Sequence, residues 1–192
     1  MDCSSLKSRL MLILDSENEG HFLVGCAGGM RVDCEFPAER RRWNGKLVSI
    51  HVSGVTGGHS GVEIQKQGAN ANVVLGRVLY ELKKKADFTV VSVDGGLKDN
   101  AITRSARAIL MFAPGQEDLF MDILKEQQGI IEKEYHKTDA GMSIEGFLEL
   151  SKEDAESVAG VLPMTDVCGN AVITALRTFP WGVQKMSKDM EG

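Results

Sequence analysis

Hydrophobic and polar residues alternate over residues 46–55 (KLVSIHVSGV), and this period of two predicts a strand with one buried face. The face that we expect to be buried carries Val48, Ile50 and Val52. Over residues 69–85 the apolar positions recur at intervals of four and three, which predicts a helix with one apolar stripe. That stripe consists of Ala71, Leu75, Val78 and Leu82.

The pattern predicts four more main elements. Residues 88–93 and 106–113 are apolar runs typical of strands, and residues 142–150 alternate again. A second long helix begins after Pro114, and its inner face is expected to consist of Phe120, Ile123, Leu124, Gln127 and Ile131. From residue 46 the order is therefore strand, helix, strand, strand, helix, strand. This order predicts an α+β, ferredoxin-like domain: one antiparallel sheet with helices on one face.

The first forty residues have a different pattern. Residues 10–14 (LMLIL) form a continuous apolar run that ends at Asp15, as in a fully buried strand. Residues 21–29 and 30–36 predict two more strands, and a charged run follows Pro37. We therefore expect two parts: residues 1–40, with a few strands of another domain, and residues 41–192, with the ferredoxin-like domain.

Composition excludes several classes of protein. Of 192 residues, 43% are hydrophobic and 26% are charged, as in soluble globular proteins. No run approaches the ~18 apolar residues of a membrane span. The 22 basic and 27 acidic residues give a net charge of −5, which lacks the basic footprint of a nucleic-acid-binding protein. The four cysteines form no CxxC pair, which favours a reducing cytoplasm.

Candidate chemistry begins with His59, which lies in the glycine-rich loop VTGGHSG. The histidine is either a surface residue in a flexible turn or an imidazole offered to a substrate carbonyl or carboxylate. Asp15 follows a predicted buried strand, where ligands and metals gather, but a turn or helix-capping residue is equally consistent with that position. Asn70 is expected to cap the following helix.

A second loop, with the sequence DNAITR, contains Asn100 and Arg104. A guanidinium beside an amide can hold a carboxylate, although such residues are also common in surface loops.

Four segments carry a family resemblance: ILDSENEGHFLVGCAGG, SGVTGGHSGVEIQKQGANANVVLGRVL, LKDNAITRSARA and FPWGVQKMSKDMEG. They resemble the aminoacyl-histidine dipeptidases (Xaa-His dipeptidases), which belong to the co-catalytic zinc exopeptidases together with carnosinase-like and glutamate carboxypeptidase-like enzymes. The resemblance implies a catalytic domain with two zinc ions and an inserted lid domain with a ferredoxin-like core. Residues 1–40 would then be the end of the first catalytic segment.

The resemblance also implies roles for individual residues. Asp15 resembles a terminal carboxylate ligand of the zinc pair, and His59 resembles the lid histidine that polarises the scissile carbonyl. Asn100 and Arg104 fall in the lid loop near the C-terminal carboxylate of the substrate. The implied substrate is an Xaa-His-type dipeptide and the implied partner is a second copy of the chain.

Most of the expected zinc ligands are missing. None of the four histidines is followed two residues later by aspartate, and no Glu-Glu pair occurs. Because two zinc ions need several His, Asp or Glu ligands, we expect an internal fragment of the enzyme that is inactive alone. The alternative is a non-catalytic ferredoxin-like module for dimerisation or ligand binding.

Overall fold

The computed structural model describes residues 4, 7–10, 19–20 and 28–186. The chain divides into two compact units, Met1–Phe36 and Pro37–Gly192. The division of the sequence into residues 1–40 and 41–192 stays a prediction. No helix in the described residues is long and apolar enough to cross a membrane.

The described part of the second unit contains six strands, four α-helices and one 3-10 turn. In chain order they are β1 Lys46–Ser53, β2 Gly58–His59, a 3-10 turn at Ile64–Lys66, α1 Ala71–Lys85, β3 Phe88–Gly95, β4 Ala101–Ile102, β5 Ala106–Phe112, α2 Glu117–Tyr135, β6 Ser143–Phe147, α3 Lys152–Ser157 and α4 Asp166–Thr178. The main sheet has the strand order β3-β5-β1-β6, and every neighbouring pair is antiparallel. This order confirms the predicted α+β, ferredoxin-like fold.

The main core lies between one face of this sheet and the helices. The predicted inward residues of β1 are each at most 1% exposed, and the four residues of the α1 stripe are fully buried. All five residues predicted for the inner face of α2 are buried. Phe112 stacks on Phe88 and meets Phe120 edge-on, with ring centroids 5.4 and 5.2 Å apart. Apolar periodicity therefore identified the buried faces correctly.

The second face of the sheet is also covered, which the alternation in β1 did not predict. Ser49 is fully buried there, and His51 is half-buried. Helix α3 lies over this face, with Nε2 of His51 3.0 Å from Oδ2 of Asp154. Arg107 donates to Oδ1 of the same carboxylate at 3.1 Å. Helix α3 thus supplies a hydrogen-bond partner for His51 and Arg107, whereas the Ser49 hydroxyl is buried without a hydrogen-bond partner among the described residues.

The N-terminal prediction fails where it can be checked. Residues 28–36 form no strand and are exposed, Cys34 included. A strand needs a neighbour to hydrogen-bond with, and no described strand pairs with this segment. The predicted strands at 10–14 and 21–27, together with Asp15, lie almost entirely outside the described residues.

The two edges of the main sheet differ. The outer edge of β3 is covered by residues 162–165, because the Met164 N–H donates to the Val90 carbonyl at 2.8 Å and the Thr89 hydroxyl donates to the Met164 carbonyl. Arg40 also donates to the Val91 carbonyl at 2.9 Å. No described strand pairs with the outer edge of β6. Among the strands that the structure describes, β6 therefore has the unpaired edge of this sheet.

Candidate functional site

The two loops that carry the sequence candidates meet in a short ladder outside the main sheet. His59 in β2 pairs with Ala101 in β4. The N–H of Ser60 donates to the carbonyl of Asn100 at 2.9 Å, which extends the ladder by one step. The structure therefore brings His59 and Asn100 together, although 41 positions separate them in the printed sequence.

Arg104 joins the same group through a glycine. Gly57 has a φ of +71°, and a Cβ at this position would lie 2.4 Å from Cγ of Arg104. The absence of a side chain lets the arginine stem lie against the loop. Nε of Arg104 donates to the Val55 carbonyl at 3.4 Å, and the side chain is exposed. The guanidinium is thus placed beside the histidine loop and remains accessible to solvent.

The local contacts of His59 decide its tautomer. Nδ1 accepts a hydrogen bond from the N–H of Gly61 at 3.0 Å. A neutral imidazole that accepts at Nδ1 carries its proton on Nε2. The residue is exposed, and no described residue takes a hydrogen bond from Nε2. His59 can therefore donate to a group that approaches from solvent.

Glu63 fixes the backbone at this histidine. Its Oε2 accepts from the N–H of His59 at 2.7 Å, and its own N–H donates to the His59 carbonyl at 3.0 Å. Lys66 contacts the other carboxylate oxygen at 2.6 Å. The hydrogen bond from Lys66, together with the one from the His59 N–H, lowers the pKa of Glu63 below its ordinary value. Sequence reasoning missed this residue, for which the four-residue spacing from His59 was the available signal.

The start of α1 is tied to the second loop. The side chain of Asn70 accepts from the N–H of Asn72 at 2.9 Å, which confirms the predicted N-cap. The N–H of Ala71 donates to the Thr103 carbonyl at 3.0 Å, and Nδ2 of Asn72 lies 3.4 Å from Oγ1 of Thr103. The GANAN sequence therefore caps the N-terminus of α1 and also binds the loop that carries Arg104 to this end of the helix.

Asp139 joins the two ends of the segment that carries His59. Oδ1 accepts from the N–H of Thr56 at 2.9 Å, and Oδ2 accepts from the N–H of Ala69 at 2.8 Å. The residue is only 3% exposed. Burial raises its pKa, but the hydrogen bonds from Ala69 and Thr56 outweigh burial, so the pKa lies below its ordinary value. No sequence signal pointed to this aspartate.

A zinc site is not found in the described part of the chain. Among the described residues, no group of three or more His, Cys, Asp or Glu side chains could hold a metal ion. Asp15, the sequence candidate for a metal ligand, lies outside the described residues. The described residues therefore do not fit a zinc pair, and the site that they form consists of hydrogen-bond donors and a cation.

Comparisons with known proteins agree with this fold. Residues 45–139 match the family described as the peptidase dimerisation domain. The cytosol non-specific dipeptidase of Escherichia coli (strain K12) is 28% identical over 141 residues, which cover 72% of this chain and 29% of that protein. The chain thus spans less than a third of the length of this relative.

A solved structure shows the same fold over a longer stretch. The aminoacylhistidine dipeptidase from Vibrio alginolyticus superposes with a TM-score of 0.73 at 23% identity. The match covers 82% of this chain and 31% of that structure.

Proposed function

Residues 45–139 belong to the peptidase dimerisation domain family, and from this premise we propose that the chain provides the lid and dimerisation domain of a cytoplasmic dipeptidase. The two similar proteins named above are both dipeptidases, and one is an aminoacylhistidine dipeptidase. We further propose Xaa-His-type dipeptides as the substrates of the complete enzyme. The described residues do not form a metal site, so the zinc ions of such an enzyme would be held elsewhere.

The proposed role of this domain is to hold the substrate. The observation that carries the proposal is the state of His59, whose Nδ1 is occupied by the Gly61 N–H and whose ring is exposed. An Nε2–H in this state can donate to a scissile carbonyl and stabilise the negative charge that develops on its oxygen. Arg104 and Asn100 lie in the adjoining loop, where an accessible guanidinium and amide can bind the terminal carboxylate of a dipeptide.

Replacement of the histidine tests this role in the complete enzyme. His59→Ala should lower kcat by about 10²–10³-fold, as expected for the loss of one oxyanion donor. His136→Ala is the matched control, because this exposed histidine follows α2 and its Nδ1 lies 2.8 Å from the backbone carbonyl oxygen of Lys133, outside the histidine loop. An unchanged kcat in His59→Ala would refute the role and favour the alternative, a dimerisation module without a catalytic residue.

A second proposal concerns the partner. No described strand pairs with the outer edge of β6, and Met121 of α2 and Phe147 of β6 are 41% and 40% exposed beside it. An unpaired strand next to exposed apolar side chains is suited to pairing with another chain. We propose that a second copy pairs along β6 and α2, since the edge of β3 is already covered.

Light scattering with size-exclusion chromatography tests the dimer. The double variant Met121→Lys and Phe147→Lys should elute as a monomer, because it places four like charges at a two-fold interface. Val167→Lys is the control, since Val167 is 80% exposed on α4, away from the β6 edge. A wild-type monomer, or a double variant that remains dimeric, would contradict this interface.

A further inference from the structure

We propose that Asp139 is a positioning residue for His59, a single buried carboxylate that fastens both ends of the loop formed by residues 56–69. The proposal rests on the role of His59 given above, because a fixed loop matters for catalysis only if the imidazole contacts the substrate. Its structural part, the fastening of the loop, can be tested separately.

The geometry of the carboxylate supports the fastening. Its two oxygens take one backbone N–H each, from Thr56 at 2.9 Å and from Ala69 at 2.8 Å. These two positions lie on either side of His59 in the chain. One side chain therefore closes the loop at its base, and neither bond uses a residue of the loop's interior.

Little apolar packing holds the loop between these two points. The 3-10 turn at Ile64–Lys66 has no buried residue, and Val62 is 62% exposed. In contrast, Val55 just before the loop and Ala69 at its end are each 1% exposed. The loop thus emerges from the core at both ends, and polar contacts determine its conformation.

The turn that carries Asp139 is itself held against the end of β1. The Thr56 hydroxyl donates to the Thr138 carbonyl at 2.9 Å, and the Met142 N–H donates to the Asp139 carbonyl at 3.0 Å. Gly54 has a φ of +71°, and a Cβ there would lie 2.0 Å from the carbonyl oxygen of Gly141. This close approach leaves the carboxylate little freedom to move away from the loop.

The charge of Asp139 is stabilised by hydrogen bonds rather than by a basic side chain. Among the described residues no lysine, arginine or histidine forms an ion pair with it. Its lowered pKa keeps it ionised at neutral pH, where hydrogen bonds from backbone N–H groups to a carboxylate are stronger than those between neutral groups. A neutral amide of the same shape would accept only one of the two bonds and would place its NH₂ group against the other N–H.

Asp139→Asn in the 192-residue chain tests the fastening by hydrogen exchange measured with NMR. The amides of Thr56, Gly61 and Ala69 should exchange about tenfold faster or more, while those of β1 and α1 keep their protection. The ¹⁵N shifts of His59 should also move from one tautomer toward a mixture, because the bond from Gly61 to Nδ1 is weakened. Asp139→Glu keeps the charge but displaces the oxygens, so intermediate protection is expected. If Asp139→Asn does not fold, Asp139→Glu is used for the same exchange measurement.

The matched control is Asp154→Asn. Asp154 is 1% exposed, and its carboxylate forms hydrogen bonds with His51 and Arg107 on the second face of the sheet. This control should leave the exchange of the loop amides at the wild-type rate. Unchanged loop exchange in Asp139→Asn, or equal acceleration in both variants, would overturn the proposal.

Kinetics of the complete enzyme test the link to His59. Asp139→Asn should lower kcat more than it changes KM, and the effect should disappear in a His59→Ala background, because the two residues act through one group. An equal loss in both backgrounds would show a general structural role and overturn the positioning. Hydrogen exchange of the loop amides tests the fastening by Asp139, and the kcat of His59→Ala tests the proposed function of His59. Either one can therefore fail without the other.

Discussion

The close approach of α1 and α4 at Gly76 allows a quantitative test of the packing. A Cβ at Gly76 would lie 2.7 Å from the carbonyl carbon of Leu176 and 2.8 Å from its oxygen. Because these are backbone atoms, relief of the contact requires α4 to shift. Gly129, in the interior of α2, is the matched control, since a Cβ there would meet nothing within 4 Å. We therefore compare Gly76→Ala with Gly129→Ala.

Both substitutions gain helix propensity, but only Gly76→Ala also introduces a steric clash between two helices. Alanine in place of glycine inside a helix raises the free energy of unfolding by ~0.5–1 kcal/mol. Forcing an extra methyl group into a packed contact lowers it by ~1–3 kcal/mol. Gly129→Ala should therefore stabilise the chain by ~0.5–1 kcal/mol. Gly76→Ala should destabilise it by ~1 kcal/mol, which leaves a difference of ~2 kcal/mol between the variants.

Urea unfolding followed by circular dichroism measures this difference, with unchanged m-values as the check on two-state behaviour. In thermal unfolding, 2 kcal/mol corresponds to a difference in Tm of roughly 4–8 °C for a domain of this size. A Gly76→Ala variant as stable as Gly129→Ala would refute the reasoning, because it would show that α1 and α4 have room for a methyl group at this contact.

Two further predictions concern a cap and an ion pair. Asn70→Ala should lower the free energy of unfolding by ~1 kcal/mol in urea titrations, because it removes the N-cap of α1. The control Asn170→Ala, at an exposed site on α4, should be close to neutral. The hydrogen bonds from Arg77 lower the pKa of Glu134 below its ordinary value, so this partly exposed pair stabilises the fold above the ordinary carboxyl pKa, and that contribution is lost as the pH falls through the lowered pKa. Glu134→Gln should therefore cost ~0.5–1 kcal/mol at pH 7 and nothing once the wild-type carboxyl is protonated, and a constant difference across this range would contradict the assignment.

Local periodicity was sufficient to predict the layers of this domain. The five residues assigned to the inner face of α2 are all buried, Gln127 among them. The reason is that a helix of this length repeats its orientation five times, so the spacing of apolar residues identifies one face repeatedly. The order of strands and helices then restricted the topology to the one observed.

Periodicity failed where the outcome depended on a partner distant in sequence. The run at residues 30–36 has the composition of a strand, yet no described strand pairs with it. Ser49 and His51 alternate like exposed residues, yet Ser49 is fully buried and α3 brings Asp154 to His51. The sequence of a strand shows how its apolar and polar residues alternate, but it does not show which segment will cover its polar face.

The candidate site divides in the same way. The sequence by itself determined the glycine-rich loop around His59, the cap at Asn70 and the neighbouring loop of Asn100 and Arg104, because glycine, capping and charged residues mark their positions locally. Only the tertiary structure decided that these loops pair with each other and that Asp139 holds the base of the first one. The partners of that carboxylate are backbone N–H groups, which every residue except proline carries, so no pattern of side chains could have indicated the contact.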